Sequence, residues 1–172
     1  YISVRSFMGD YDAELQDFAA SGKDARGAKA IIFDLRANHG GDDRYGSSWV
    51  RNFTGTAPKY SVAVGNRFSR LRAAAWGEGS APAGTFAQFE QTGVFQNNDI
   101  PIIVLVDDGC ASSGESMLNF LKTLDNAIVI GTNSGGYQLC GNDMSMTLPN
   151  TGMYLYFGVS LTFPYGMENV DY

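Results

Sequence analysis

Pro101-Ile-Ile-Val-Leu-Val-Asp-Asp-Gly-Cys-Ala-Ser-Ser113 is the stretch that decides the fold of this 172-residue chain. Its first six residues form an almost unbroken apolar run, which is typical of a strand covered on both faces in a parallel sheet. A helix is predicted directly after it, because apolar residues recur at helical spacing from Met117 to Leu124. Ser112 is therefore predicted to lie at a strand-to-helix turn, where the N–H groups of a helix start favour negative charge.

Strands and helices alternate on both sides of this unit. Residues 28–36 have the apolar centre of a second buried strand, and residues 127–130 predict a short third one. Helices are predicted from Tyr11 to about Ala20, and from a cap at Asp42 or Asp43 to a stop at Gly55. Further strands are predicted at 1–7, 59–64, 144–148 and 154–162, the last two forming a hairpin about 149–152, whereas 77–98 is predicted to be irregular. The pattern predicts an α/β fold.

Composition excludes several classes of protein. Twelve basic against eighteen acidic residues give a net charge of −6, which repels a phosphate backbone and argues against nucleic-acid binding. No apolar run approaches the roughly 20 residues of a membrane span. The length fits one domain, and the chain is interpreted as part of a longer polypeptide. Cys110 and Cys140 are interpreted as two small buried residues rather than a disulfide, and neither has the company of metal ligands.

Ser112 has two competing interpretations. Ser112-Ser-Gly-Glu115 matches the capping box, which satisfies backbone N–H groups at a helix start. A nucleophilic serine needs a base, and the only histidine of the chain is His39. The α/β-hydrolase pattern is excluded, because Cys110 replaces its first glycine and no histidine follows the serine. Lys122 lies ten residues along the helix, about 15 Å away, which is too far for a base.

Four stretches together resemble the signatures of peptidase family S41, the C-terminal-processing and tricorn-type serine peptidases. They are Ile31-Ile-Phe-Asp-Leu-Arg-Ala-Asn-His-Gly-Gly41, Val104-Leu-Val-Asp-Asp-Gly-Cys-Ala-Ser-Ser-Gly-Glu115, Val129-Ile-Gly-Thr-Asn-Ser-Gly-Gly136 and Tyr165-Gly-Met-Glu-Asn-Val-Asp171. Their order along the chain favours a nucleophile at Ser112 over a simple cap. The resemblance implies a ClpP/crotonase-like α/β fold, with residues 1–172 forming one catalytic domain.

The same resemblance implies the parts of a site. Ser112 would be the nucleophile, and the backbone N–H groups of Ser113, Gly40 and Gly41 would form the oxyanion hole. Preorganised donors of this kind are worth about 3 kcal/mol each in acyl transfer. The expected substrates are peptides or unstructured protein tails, with no metal or organic cofactor. An extracytoplasmic location is favoured by the resemblance alone.

The base divides the family into two branches. C-terminal-processing proteases use a Ser-Lys dyad, but Tyr137 stands at the lysine position, and a tyrosine pKa near 10 makes a poor base. The chain therefore resembles the tricorn Ser-His-Ser-Glu branch, with Glu168 as the acidic member and a histidine upstream of Tyr1. His39 is the competing candidate for the base. Asp34 and Arg36 are interpreted as a supporting ion pair.

Two alternatives keep the fold but not the activity. The chain also resembles interphotoreceptor retinoid-binding repeats, which would make it a non-catalytic binding module. Phe157, Phe163, Tyr154 and Tyr156 would then line an apolar pocket, although such aromatic residues are more often core. The second alternative is a degenerate peptidase that keeps Ser112 but has no base.

Overall fold

The computed structural model describes residues 1–59, 61–67, 86–90, 95–137 and 140–164. The chain forms two compact units, Tyr1–Tyr60 with Gly93–Gln138 and Ser61–Thr92 with Leu139–Tyr172. The described strands are β1 (Ile2–Ser3), β2 (Ile31–Asp34), β3 (Ser61–Arg67), β4 (Phe86–Glu90), β5 (Ile102–Val106), β6 (Ala127–Gly131), β7 (Cys140–Thr147) and β8 (Tyr154–Pro164). The described helices are the 3₁₀ turn Gly9–Tyr11 and the α-helices α1 (Asp12–Ala25), α2 (Arg44–Thr54) and α3 (Ser113–Lys122).

Each unit contains one four-stranded sheet. In the first unit the strands are parallel in the order β1-β2-β5-β6, and in the second they are antiparallel in the order β4-β3-β8-β7. The predicted β2, β5 and β6 strands and the β7–β8 hairpin are confirmed. The α/β prediction is confirmed as well. No helix in the described ranges is both long and apolar enough to cross a membrane.

The core of the first unit lies on one face of its parallel sheet. Phe33 and Val104 pair in register and are fully buried, and the Phe33 ring meets Trp49 of α2 edge to face at 4.7 Å. The alternate positions project from the other face, where Ile32 is 37% and Ile128 is 61% exposed. The prediction of strands covered on both faces is therefore wrong for β2 at Ile32 and holds only in part for β5, whose outer-face residues are half-buried, because the buried helix residues belong to the core on the Phe33 face.

Local pattern also misplaced some boundaries. Helix α1 continues to Ala25 instead of ending near Ala20, and β4 lies inside the segment 77–98 predicted to be irregular. β4 exists because it pairs with β3, for example Phe89 with Val64, and such a partner cannot be recognised from a local window. Helix α2 begins after Asp43 and ends at Gly55, as predicted, with Gly55 in the left-handed conformation at φ 86°.

Asp34 forms the ion pair predicted with Arg36 and is fully buried. The Arg36 side chain donates two hydrogen bonds to it, Nε–Oδ1 at 2.9 Å and Nη2–Oδ2 at 2.8 Å, its backbone N–H donates another at 3.2 Å, and the Tyr1 hydroxyl donates one at 2.6 Å. Arg5 adds an ion pair at 3.0 Å. The hydrogen bonds from Arg36, together with those of Tyr1 and the charge of Arg5, hold the pKa of Asp34 well below its ordinary value. Asp34 thus joins the amino-terminal segment to the end of β2.

Asp34→Asn is expected to lower the free energy of unfolding near neutral pH by about 1–3 kcal/mol, because an amide cannot accept from all these donors. A lowered carboxyl pKa contributes stability above the ordinary carboxyl range near pH 4 and loses it as the pH falls below that range. The difference between the two proteins should therefore shrink between pH 7 and pH 3, measured by urea unfolding. Asp17→Asn, at an exposed position of α1, is the control. An equal difference at both pH values would contradict the ion-pair explanation.

Candidate active site

Ser112 lies at the turn between β5 and α3 in an uncommon backbone conformation. Its φ is 50° and its ψ is −119°, and it is exposed. A positive φ is strained for a residue with a Cβ, and ordinary N-cap residues have extended backbone. Such outliers persist where the surrounding structure holds them, which is frequent at functional sites. A simple helix cap does not require this conformation.

Glu115 holds the backbone of Ser112. Its Oε2 accepts the Ser112 N–H at 2.9 Å, while its Oε1 accepts from the Ser134 hydroxyl at 2.7 Å and the Gly136 N–H at 2.8 Å. Glu115 is only 3% exposed, so these donors compensate a carboxylate that has lost its water. The predicted capping box of Ser112 and Glu115 is therefore present, and Glu115 also joins the glycine-rich turn 131–136 to the serine turn.

The glycine loop after β2 approaches Ser112 at a distance that only glycine allows. A Cβ on Gly40 would lie 2.7 Å from the Ser112 Cβ and 3.0 Å from the Ser113 nitrogen. Gly40 has φ 101° and Gly41 has φ 136°, a region that side chains rarely adopt. A Cβ on Gly41 would lie 2.1 Å from the Phe7 carbonyl carbon. Gly40 and Gly41, the two glycines predicted for the oxyanion hole, thus both lie so close to neighbouring main-chain atoms that a side chain would not fit.

The three amides proposed for an oxyanion hole differ in their partners. The Gly40 N–H donates to Asn38 Oδ1 at 2.9 Å and is already used. Among the residues that the structure describes, no acceptor is found for the N–H of Ser113 or of Gly41. The Ser113 hydroxyl donates to the Gly41 carbonyl at 2.7 Å, which joins the two residues. Ser113 and Gly41 therefore present the pair of free donors.

Asn38 and the amino-terminal segment position the glycine loop, and both were missed in the sequence. Asn38 is fully buried, its Nδ2 donates to the Val4 carbonyl at 2.9 Å, and its own carbonyl accepts the Ala111 N–H at 2.8 Å. Phe7 donates its N–H to Gly40 at 2.8 Å and accepts the Asp42 N–H at 2.8 Å. Asn38 stands inside the first quoted signature, but only the fold shows that it links three segments.

The other predicted partners of Ser112 lie differently. His39 is exposed, and no hydrogen bond or ion pair joins its side chain to another residue in the described ranges. Tyr137 is 65% exposed, one residue beyond the Gly136 amide held by Glu115. Glu168 lies outside the described residues. The structure therefore brings Ser112, Ser113, Gly40 and Gly41 together, and it gives no base among the described side chains contacting Ser112.

Cys110 is a buried free cysteine two residues before Ser112. Burial, with smaller contributions from the charges of Glu115 and Asp107, raises the pKa of the Cys110 thiol to about 12. The thiol is protonated at neutral pH, so it does not compete with Ser112 as a nucleophile. The side chain of Cys140 lies outside the described residues. Among the described residues, no group of three or more His, Cys, Asp or Glu is placed to hold a metal ion.

The aromatic residues of β8 whose side chains the structure describes do not line a core. Tyr154 is 67%, Tyr156 is 74% and Phe157 is 38% exposed, while the side chain of Phe163 lies outside the described residues. Tyr154 and Tyr156 alternate with Leu155 and Phe157 along the strand, so aromatic side chains project from both faces of the β7–β8 hairpin. Exposure on both faces is not the arrangement of an enclosed apolar pocket.

Comparison with known proteins gives one family. The sequence profile of peptidase family S41 matches residues 1–166, which is nearly the whole chain. No curated protein sequence matches the chain significantly. The match includes the serine turn and the glycine loop described above.

Solved structures share the fold at low sequence identity. A candidate peptidase from Parabacteroides merdae has a TM-score of 0.57 and 19% identity, over 95% of this chain and 48% of its own. The photosystem II D1 C-terminal processing protease has a TM-score of 0.54 and 19% identity. The similarity covers 94% of this chain and 36% of that protein. Mature CPAF complexed with lactacystin has a TM-score of 0.61 and 15% identity, over 95% of this chain and 43% of its own. The chain thus spans less than half of each protein, and the predicted fold of the family is confirmed.

Proposed function

The chain belongs to peptidase family S41, and on that premise we propose that it is the catalytic core of a serine peptidase with Ser112 as its nucleophile. The observation that carries the proposal is the strained, exposed Ser112 beside Gly40, next to the Ser113 amide and the Gly41 amide of the adjoining loop, neither of which has an acceptor among the described residues. A serine that only capped α3 would need neither the positive φ nor the close approach of Gly40.

The proposed reaction is acyl transfer in two steps. The Ser112 Oγ adds to a peptide carbonyl, and its proton passes to a base. The amides of Ser113 and Gly41 stabilise the oxyanion that forms on the carbonyl oxygen. The peptide C–N bond then breaks, the amine leaves with the proton from the base, and water hydrolyses the acyl-enzyme to regenerate Ser112. The Gly40 amide has no part in this scheme, because it donates to Asn38.

We assign the base to a histidine outside these 172 residues, in the manner of the tricorn branch. Two facts support this assignment: Tyr137 stands where the other branch carries its lysine, and His39 is exposed without a partner among the described residues. Glu168 completes the proposed set as the acidic member. The expected substrates are peptides or unstructured protein tails, which bind as extended segments, and an extracytoplasmic location belongs to the same proposal.

A fluorophosphonate probe tests the nucleophile in the intact protein. Labelling is expected on the tryptic peptide that contains Ser112, located by mass spectrometry, because the probe reacts only with an activated serine. Ser112→Ala should abolish the adduct, whereas Ser48→Ala, an exposed serine of α2, should leave it unchanged.

Absence of labelling in folded protein, checked by circular dichroism, would overturn the peptidase proposal. The non-catalytic binding module and the degenerate peptidase both predict this absence. Labelling that persists in Ser112→Ala would place the nucleophile elsewhere.

A further inference from the structure

We propose that the Ser113 side chain is a positioning group for the oxyanion hole, distinct from the Ser113 amide that donates to the oxyanion. Its hydroxyl would hold the Gly41 carbonyl, so that the two free amides keep a fixed separation. This inference rests on the proposed function, since it concerns the same site. It assigns a task to a side chain that acyl transfer itself does not use.

The hydrogen bond from Ser113 Oγ to the Gly41 oxygen is 2.7 Å long and is partly buried, because its donor residue is buried and its acceptor residue is exposed. Ser113 is 7% exposed and is the first residue of α3, whereas Gly41 lies in the loop after β2. Partial shielding from water makes such a bond electrostatically stronger than the same bond at an open surface. It is a side-chain link between the helix that begins at Ser113 and the loop that carries Gly41.

Gly41 needs such a link because its own backbone is permissive. Phe7 fixes the peptide before Gly41 by donating to the Gly40 carbonyl, and it accepts the N–H of the peptide after Gly41. Both of these bonds come from the amino-terminal segment and none from α3. The Ser113 hydroxyl adds the restraint from the helix that carries the second donor. Without it, the peptide that contains the Gly41 carbonyl and the Asp42 N–H would be held only by Phe7, and no side chain would fix its distance from α3.

The geometry separates positioning from proton transfer. The Ser113 hydroxyl proton is directed at the Gly41 oxygen, so it is not available to Ser112 or to a leaving group. The Ser113 amide belongs to the main chain and remains in any side-chain variant. Ser113→Ala therefore removes the link while it keeps both oxyanion donors, which makes the side chain separately testable.

Ser113→Ala is expected to lower kcat about 10- to 100-fold with KM within about 3-fold, since misplaced donors weaken the transition state more than the bound substrate. The rate of fluorophosphonate labelling should fall by a similar factor. Affinity for a peptide trifluoromethyl ketone, which forms an oxyanion, should fall in step with kcat/KM, whereas affinity for an uncleaved product peptide should not change.

Ser116→Ala is the matched control, because Ser116 is a buried serine of the same helix whose hydroxyl bonds Asp43 instead of the glycine loop. It should lose similar stability but retain kcat. Ser113→Thr keeps the hydroxyl and should exceed Ser113→Ala in kcat. If alanine gives no folded protein, Ser113→Cys, a weak donor of similar size, should show an intermediate loss.

Equal kcat and equal ketone affinity in Ser113→Ala and Ser116→Ala would overturn the inference, as would a loss of product-peptide affinity that matches the loss of ketone affinity. The two proposals fail in different ways. If the wild-type protein is not labelled at Ser112, the proposed function fails. If it is labelled and Ser113→Ala reacts at the same rate, only the positioning role fails.

Discussion

Gly40→Ala is expected to lower kcat/KM by about 1,000-fold while the protein remains folded. Loss of one oxyanion donor costs about 100- to 1,000-fold in acyl transfer, and this substitution obstructs the donor and the nucleophile together. The new methyl group would lie 3.0 Å from the Ser113 nitrogen, within the space that an oxyanion needs, and 2.7 Å from the Ser112 Cβ. Peptide hydrolysis and fluorophosphonate labelling would both measure the loss.

Gly55→Ala separates this obstruction from backbone strain. Gly55 ends α2 at φ 86°, so alanine is strained there as well, but a Cβ on Gly55 meets nothing within 4 Å. Both variants should therefore lose about 1 kcal/mol of stability from the left-handed backbone, and Gly40→Ala should lose more because its Cβ is also too close to Ser112, both measured by thermal unfolding. Only Gly40→Ala should lose activity. Activity of Gly40→Ala within a few-fold of wild type would contradict the placement of the oxyanion beside Ser113.

Glu115→Gln is expected to slow labelling of Ser112 about 100-fold and to lower the free energy of unfolding by about 1–3 kcal/mol. The two carboxylate oxygens accept three donors, the Ser112 and Gly136 amides and the Ser134 hydroxyl. Glutamine has the same shape but offers one oxygen and one NH₂ group, so an N–H group must face at least one of these donors. The strained Ser112 backbone would then lose its partner or the turn 131–136 would move.

Ser134→Ala is the matched control, because it removes one donor from Oε1 and leaves the bond from Oε2 to the Ser112 amide. A small effect on labelling is expected there. If Glu115→Gln loses stability but reacts with the probe at the wild-type rate, Glu115 supports the fold and does not position the nucleophile. The labelling rates of the two variants should be compared under conditions in which the same fraction of each protein is folded, so that a loss of stability is not mistaken for a loss of reactivity.

The candidate nucleophile could be predicted from the sequence because the patterns that indicate it lie close together along the chain. The apolar run of β5 gives a buried strand, the helical spacing after Ser113 gives a helix, and the order of the motifs gives the turn between them. The strain at Ser112 and the distance from Gly40 to Ser113 could not be predicted. Both depend on how the loop after β2 packs against the turn after β5. The spacing of motifs along the sequence does not give distances between such segments.

The same limit applies to the sheet. The run Pro101–Val106 is apolar at every position after the proline, so period alone could not show that one face of β5 packs more fully than the other. It was also impossible to recognise β4 without its partner β3. The role of Asn38 could not be predicted for a similar reason. Its three hydrogen bonds join segments around Val4, Gly40 and Ala111 that only the folded chain brings together.

The hydrogen bonds between the amino-terminal segment and the glycine loop determine which positions can change in related sequences. Val4 and Phe7 contribute only main-chain atoms to the hydrogen bonds that hold Asn38, Gly40 and Asp42, so these bonds do not depend on the side chains at positions 4 and 7, although they do need the Asn38 amide. Residues there are free to change as far as core packing permits, whereas proline at position 7 would remove the donating N–H. Chains that differ at most positions are thereby able to inherit the same loop geometry.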